Sequence, residues 1–589
     1  FPKLIGIQKM DIINKESFED AIRIGNIPMN GIASILMKIM KIDQINELYD
    51  KYQDEKGLAF VDAVLNYLNI KIDINEQDVK NIPLESAFIA IANHPFGGIE
   101  GLIMLKILGE IRPEIKLMAN FILKKIPAIQ DQIIAVNPFE DYKNTSSVSG
   151  IINTIKYLQN GNPIGIFPAG EVSSYQSQKR KITDKDWNPV IGKIITKTKV
   201  PVLPIYFDGN NGLLFNLLGL INQKLRTAQL PNELLNKKGH VIKVRIGKVI
   251  KYNDIEAFDS NSKMLLYLRA RTYALASGIE VKNIIHKNIF KIKKKPEAII
   301  APVNSKLIES DIAKLSANNL ILTEKNYQVY ITNFQEIPNI IKEIGRLREI
   351  TFREVGEGTN KSIDLDKYDI YYKHLFIWDQ DALKIVGSYR VGLGDQIIEN
   401  HGIGGFYINN LFKIKKGFSP IMASGLELGR SFIAKEYQQK ALPLFLLWKG
   451  ILKFVIQNPK YRYLFGPVSI SNNYSKLSKR IIVSFLKKEC SDDTFADLIK
   501  AKKQFKFDTQ NETTQILIEK ENSIKSLDTI ISDIEQNHAK VPVLIRQYIQ
   551  MNAKILGFNI DPKFNDCLDG FLLLDSLLMP KEMKDQLSK

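Results

Sequence analysis

Apolar positions along the chain change their period several times, and each change predicts an element. Near the start they recur at helical spacing: Ile32, Ile35, Leu36, Ile39 and Met40 form one stripe and Leu58, Val61, Val64 and Leu65 another, so residues 1–85 read as a helical region. From Phe88 to Ile250 short apolar runs alternate with helical segments. The runs Phe88–Ala92, Ile115–Met118, Ile133–Val136, Ile164–Phe167, Val200–Phe207 and Val241–Ile246 predict strands of an α/β layered domain over residues 86–298. A basic run ending at Lys295, followed by Pro296 and Pro302, marks an interdomain boundary. A second α/β unit then fills 299–589, with candidate strands at Tyr327–Thr332, Tyr371–Trp378, Ile385–Val391, Gly405–Phe412 and Leu444–Leu447. The apolar stretch Leu213–Ile221 is too short to span a bilayer and fits either a buried helix or a segment dipping into the interface.

Composition narrows the function classes. A chain of 589 residues exceeds one hydrophobic core, and 45% apolar with 25% charged residues describes a globular protein. No apolar run approaches the ~18 residues that cross a bilayer, and no secretory signal pattern is present, so a cytosolic chain is expected. Two cysteines, Cys490 and Cys567, and six scattered histidines supply neither a disulfide framework nor a metal-ligand cluster. The net charge of +17 suits an anionic membrane surface, an acidic protein or nucleic acid. Nothing resembling a nucleic-acid-binding fold accompanies the short basic clusters at Lys179–Lys181, Lys291–Lys295 and Lys413–Lys416, so nucleic acid is not expected as a partner. Each basic residue near an anionic leaflet contributes about 1 kcal/mol, enough for a few clusters to hold a protein at a membrane.

The stretch Phe88–Gly101 compresses a strand, a polar turn and a helix start into one segment, and it places His94 at the strand's carboxyl end. The Gly97-Gly98 pair lets the chain wrap so that Glu100 reaches the imidazole, which turns a histidine into a general base for a hydroxyl. Taken alone, such a turn fits a structural histidine equally well. A second polar turn, Pro168-Ala169-Gly170-Glu171-Val172-Ser173, follows the strand Ile164–Phe167, again where open α/β sheets bind ligands.

These two segments, with Val200–Ile205 behind them in the same order, resemble the motifs of the glycerolipid (lysophospholipid) acyltransferases over about residues 85–250. The family's Asn-His, four residues, Asp becomes Asn93-His94, five residues, Glu100; its Phe-Pro-Glu-Gly-Thr-Arg-Ser keeps Phe167, Pro168, Gly170 and Ser173 but has Ala169, Glu171 and Val172. The resemblance implies that His94 deprotonates an acceptor hydroxyl that attacks an acyl thioester, with Glu100 as its partner. Asn93 or the amides of Gly97 and Gly98 would steady the oxyanion, and Gly170, Glu171 and Ser173 would contact substrate. Valine in place of an arginine that grips phosphate points to an acceptor without a phosphate.

The C-terminal half carries Arg348, Phe352 and Arg353, then Asp364, Asp366 and Asp369, then Arg390 on a strand, then Glu427-Leu-Gly-Arg430, expected to open a helix. Alternating acids and arginines on separate elements suggest a fixed charge network, structural or catalytic. The order resembles the autoinducer-synthase-like branch of the GNAT acyltransferases, and Pro542–Tyr548, Asp561–Asn565 and Leu568-Asp569 resemble the close of its amino-acid N-acyltransferases. In that resemblance Glu427 positions or deprotonates an amine, while Arg348, Arg390, Arg430 and the three aspartates shape the site.

The two halves together resemble the bifunctional ornithine-lipid synthases. The implied protein joins two α/β acyltransferase domains. Its C-terminal domain N-acylates an amino acid, ornithine or glycine, with a 3-hydroxyacyl chain, and its N-terminal domain O-acylates the lyso-lipid. The implied donor is an acyl-acyl carrier protein or acyl-coenzyme A, with no resident cofactor. The implied partners are the acyl carrier protein and the inner face of the cytoplasmic membrane. Two other readings stand beside it: a phospholipid acyltransferase with a non-catalytic GNAT half, and a membrane-surface scaffold without turnover.

Overall fold

A computed structural model describes residues 37–38, 41–136, 145–176, 180–212, 215–216, 226, 229–279, 296–506, 512–519 and 521–588. The chain forms two compact units, Phe1–Ile279 and Glu280–Lys589. The stripe from Ile32 to Met40, most of Leu213–Ile221, and the basic run at 291–295 lie outside the described residues.

The first unit is built on a seven-stranded sheet. Its strands are β1 (Lys71–Ile74), β2 (Ile89–Ala92), β3 (Lys116–Asn120), β4 (Ile133–Val136), β5 (Ile164–Ile166), β8 (Val202–Phe207) and β9 (Val241–Ile246), in the order β1-β9-β8-β2-β5-β3-β4. A small hairpin of β6 (Ser174–Gln176) and β7 (Lys181–Thr183) stands apart. From β8 to β4 neighbouring strands are parallel, which requires helices on the faces and strands apolar on both sides. The Ile-Ala-Ile-Ala of β2 is buried throughout. Covering helices include α1 (Ile42–Tyr52), α2 (Leu58–Tyr67), α3 (Ile99–Gly109), α4 (Thr145–Gln159), α5 (Pro189–Thr198) and α6 (Asn261–Ala274). Val61, Val64 and Leu65 of α2 pack with Ile103 and Leu108 of α3, each burial contributing about 1.5–3 kcal/mol. Residues 71–74, read from sequence within a helical region, instead pair with β9; the alternation of Lys71-Ile72-Asp73-Ile74 is a strand period that the flanking helical stripes obscured. Buried Asp78 accepts from Arg245 Nε at 2.6 Å and Ile246 N at 3.1 Å, tying the following turn to β9.

The second unit is built on an eight-stranded sheet. Its strands are β10 (Leu320–Glu324), β11 (Tyr327–Asn333), β12 (Lys373–Asp379), β13 (Lys384–Leu393), β15 (Gly425–Ile433), β16 (Tyr463–Ile470), β18 (Lys554–Asp561) and β19 (Cys567–Asp575). They run β10-β11-β12-β13-β15-β16-β19-β18, all antiparallel except β15 with β16. That parallel pair joins only Gly425–Glu427 to Tyr463–Phe465, where its ladder ends. Helices α7 (Pro338–Glu354) and α8 (Ala441–Gln457) cover the sheet, and β14 (Phe412–Ile414) pairs with β17 (Ile499–Ala501) outside it.

Three sequence expectations change here. Leu444–Leu447 lies inside α8: the apolar run continues to Ile456, long enough for a helix, and local composition cannot separate the two. Gly405–Phe412 is mostly 3-10 turn, Ile403–Gly405 and Tyr407–Asn410, because a side chain captures its amides, as described below. Glu427-Leu-Gly-Arg430 forms the middle of β15 rather than a helix start, with Glu427 opposite Gly392 and Gly429 opposite Arg390.

Gly394 sits where β13 turns into the helix Gly394–His401, and a Cβ there would stand 1.8 Å from the Met422 carbonyl oxygen and 2.5 Å from that of Gly425. Both are backbone atoms that cannot rotate away. Gly394→Ala is expected to destabilise the C-terminal unit by about 1–3 kcal/mol or more, read as a lowered denaturation midpoint of that unit in the full chain. An unchanged midpoint would show that this contact relaxes freely.

Candidate active site

In the first unit, strands β2 and β5 are adjacent, so their two polar turns lie side by side at the sheet's carboxyl edge. The Ser173 N–H donates to the His94 carbonyl at 2.8 Å and pins one turn to the other. His94 Nδ1 meets Glu100 Oε1 at 2.8 Å. The same carboxylate accepts from the backbone N–H groups of Phe96 (2.8 Å), Gly97 (2.7 Å) and Gly98 (3.1 Å). The positive φ of Gly97, 95°, makes the wrap possible, and a Cβ there would strike Leu230 and Val172.

Glu100 is fully buried while the His94 side chain keeps 17% exposure. Burial pushes the Glu100 carboxyl up, yet the His94 charge and the amides outweigh it and hold it below the usual carboxylate range. A charged carboxylate on Nδ1–H leaves the Nε2 lone pair bare, and Nε2 has no hydrogen-bond partner among the described residues. The ring stacks on Phe167, centroids 4.4 Å apart. The pair is therefore arranged as a base with a fixed tautomer.

Other residues proposed from sequence have different work. Asn93 Nδ2 donates to the Phe207 carbonyl at 2.9 Å and its Oδ1 accepts from Phe207 N at 2.8 Å, so it stitches β2 to β8 and is no oxyanion donor. The Gly97 and Gly98 N–H groups are likewise engaged, donating to Glu100 rather than standing open for an oxyanion. Gly170 is the left-handed residue of the turn after β5, φ 69°. The Ser173 hydroxyl donates to Asp184. Glu171 is clamped between Lys185 Nζ and Arg226 Nη2, each at 2.5 Å, and Val172 is buried against Gly97.

Sequence reading missed Asp184, which is wholly buried and receives the His94 N–H (3.2 Å), the Ser173 hydroxyl and Trp187 Nε1 (3.3 Å). It also missed Arg226 and Lys237; the latter lies 4.8 Å over the Phe96 ring, its pKa lowered by burial despite the charges of Glu233 and Glu100. The polar run Thr183–Asp186 was the available signal for Asp184. Arg226 sits in a stretch with no motif.

In the second unit the predicted charges converge. Arg348 donates twice to Asp369, at 2.9 and 2.6 Å, and Arg390 Nη1 reaches Asp366 at 2.6 Å and Asp369 at 3.4 Å. Arg430 stands 3.3 Å from Asp364 and 3.6 Å from Asp366. Arg390 is ringed by Tyr368, Tyr372 and Tyr407 at 5.3–5.5 Å. Asp369 is pushed up by burial but held below its usual range by Arg348 and Arg390, and buried His374 is pushed down to about 4.

Glu427 is buried and accepts from the Tyr372 hydroxyl, Tyr407 N (3.0 Å) and Ile408 N (2.6 Å). This is the side chain that converts the expected strand at 405–412 into a turn. Burial lifts its carboxyl to about 7. Buried and with both oxygens engaged, Glu427 holds the Tyr407 turn. Tyr372, Tyr407 and Glu357 were not singled out from sequence, since isolated tyrosines and a loop glutamate carry no spacing signal.

Comparison with known proteins fits this division. A family model described as "Acyltransferase" matches residues 28–282, and one described as "Acetyltransferase (GNAT) domain" matches residues 347–448. A glycine N(alpha)-acyltransferase of Bacteroides thetaiotaomicron is 30% identical over 304 residues, covering 49% of this chain and 89% of that protein. One of Phocaeicola vulgatus is 29% identical over 47% of this chain and 88% of its own length. A lyso-glycine lipid O-acyltransferase of Bacteroides thetaiotaomicron is 23% identical over 41% of this chain and 89% of that protein. The chain is an acyltransferase carrying an acyltransferase domain ahead of a GNAT domain, and it belongs to the glycine N(alpha)-acyltransferase family.

Proposed function

We propose that the chain makes a diacylated amino-acid lipid in two steps. The C-terminal unit forms an amide between a 3-hydroxyacyl chain and an amino acid, and the N-terminal unit esterifies the 3-hydroxyl of that product. The observation that carries the second step is the His94–Glu100 pair with its bare Nε2. In this reading His94 takes the hydroxyl proton, the oxygen attacks the carbonyl of an acyl thioester, and the thiolate leaves; no acyl-enzyme is required. The donor is an acyl-acyl carrier protein or acyl-coenzyme A, and the acidity of a carrier protein complements a chain of net charge +17.

Glycine is favoured over ornithine as the amino acid, supported by the names of the relatives. Among the described residues Glu171 is paired with Lys185 and Arg226. A phosphate dianion is poorly served there, with Val172 at the position of the family's arginine.

Among the described residues no helix is long and apolar enough to cross a membrane. Attachment at an anionic membrane surface on the cytoplasmic side is supported by a cleft of about 700 Å³ lined by Lys116, Lys124, Lys156 and Phe121. Leu123, Val148 and Ile152 stand exposed in the same segments.

His94→Ala is expected to abolish O-acylation while N-acylation continues, so that N-(3-hydroxyacyl) amino acid accumulates in a heterologous host; lipid mass spectrometry showing wild-type diacylated product would refute the dyad. Wild type should use a lyso-aminolipid better than lysophosphatidic acid by about ten- to a hundredfold, since each missing charged hydrogen bond costs roughly 1.5–3 kcal/mol. Glu171→Gln, which frees Arg226 and Lys185, should narrow that ratio, and side-by-side kinetics with both acceptors measure it. Sedimentation with vesicles containing anionic lipid should show binding that weakens with salt and falls in Lys124→Glu/Lys156→Glu; salt-insensitive binding equal to wild type would exclude this face.

A further inference from the structure

The ladder of β15 with β16 ends at the Glu427–Phe465 pair, with the Leu428 carbonyl still against Gly466, and Arg430 stands beyond that end on β15. Arg430 has a left-handed backbone, φ 50°, a conformation that costs a non-glycine residue of order 1–2 kcal/mol and turns it out of the ladder. Its guanidinium is packed between the rings of Tyr407 (5.1 Å) and Phe564 (4.7 Å). Unlike Arg348 and Arg390, it makes no hydrogen bond among the described residues, only long ion pairs, Nε to Asp364 at 3.3 Å and Nη2 to Asp366 at 3.6 Å. An arginine held so rigidly with unspent donors is built for a planar anion.

Two carboxyl groups, Asp569 and Glu357, lie within its electrostatic reach. Asp569 lies on β19 opposite Ser469, whose hydroxyl donates to it at 2.7 Å. Glu357 sits in the loop after α7; that loop is tied to the end of β16 by the Ser471 hydroxyl and Asn473 Nδ2, both donating to the Val355 carbonyl. Glu357 has no side-chain hydrogen bond among the described residues. Burial first, and then the Asp569 charge, lift its carboxyl to about 7, with Arg430 opposing; burial and Asp561 lift Asp569 to about 7, with Ser469, Cys567 and Arg430 opposing. Tyr474 and Cys567 also feel the Glu357 charge.

Resting on the N-acyltransferase reading, we propose that Arg430, Glu357 and Asp569 form the subsite for a free α-amino acid, Arg430 taking the carboxylate and the two acids the ammonium. Glu357 then accepts one ammonium proton. The freed lone pair attacks the thioester carbonyl carbon, the C–N bond forms and the C–S bond breaks, and the second nitrogen proton leaves with the thiolate as thiol. Glu427 holds the Tyr407 turn against Arg430 and does not touch the amine.

The test is steady-state N-acylation by the full chain with glycine and a 3-hydroxyacyl thioester, on carrier protein or on coenzyme A. Glu357→Gln should raise the glycine KM or lower kcat by about ten- to a hundredfold with the donor KM held within about twofold, and Glu357→Asp should recover part of the loss. Wild-type kcat/KM should fall as pH drops through about 7, where the Glu357 carboxylate is protonated; Asp569→Asn, removing a neighbouring negative charge, should move that limb to lower pH. Glycinamide, which lacks the carboxylate, should be used about ten- to a hundredfold less well by wild type, a measurement independent of any variant's folding. Variants with wild-type glycine KM and an unmoved acid limb, or glycinamide used as well as glycine, would overturn the subsite. A wild type that acylates no amino acid with either donor overturns the functional reading and the subsite together.

Discussion

A buried carboxylate filled by backbone N–H groups is the device on which both units depend. Glu100 gathers three successive amides and an imidazole; Glu427 gathers two amides and a phenol; Glu349, beneath the loop that carries Glu357, gathers the Thr359 and Asn360 amides, the Thr359 hydroxyl and Arg353. Each shapes a turn that no helix or strand ladder would hold. Removing such an acid leaves several buried donors unpaired at once, and each unpaired donor costs about 1–3 kcal/mol. Loss of the acid would therefore reshape the turn as well as remove a charge.

The same device gives opposite electrostatic results. Glu100 has a histidine and a helix N-terminus to balance its charge, and stays ionised; Glu427 meets neutral donors in a dry site and is lifted to about 7. An ionised glutamate suits a partner that must hold an imidazolium. A glutamate near neutrality, sealed from solvent, suits a structural pin beside the Arg390 and Arg430 network.

Much of this was legible in the sequence where chemistry was local. The strand-turn-helix at Phe88–Gly101 announced His94 and Glu100, and the alternating acids and arginines announced the charge network, although Glu427 and Arg430 ride on β15 and not on the helix expected for them. What stayed hidden depended on contacts over long separations. Asn93 is matched to Phe207, and the strand expected at 405–412 was undone by Glu427; neither is recorded in local pattern. Asp184 and Glu357 gain their character from burial and neighbours that come together only in the fold.

The short pairing of β15 with β16 has a mechanical meaning. The eight-stranded sheet is two ladders, β10-β11-β12-β13-β15 and β16-β19-β18, joined through three residue pairs at Gly425–Glu427. Backbone stiffness that elsewhere runs across a whole sheet is interrupted at this seam. A molecule seated across the seam would bridge what the hydrogen-bond ladder leaves open.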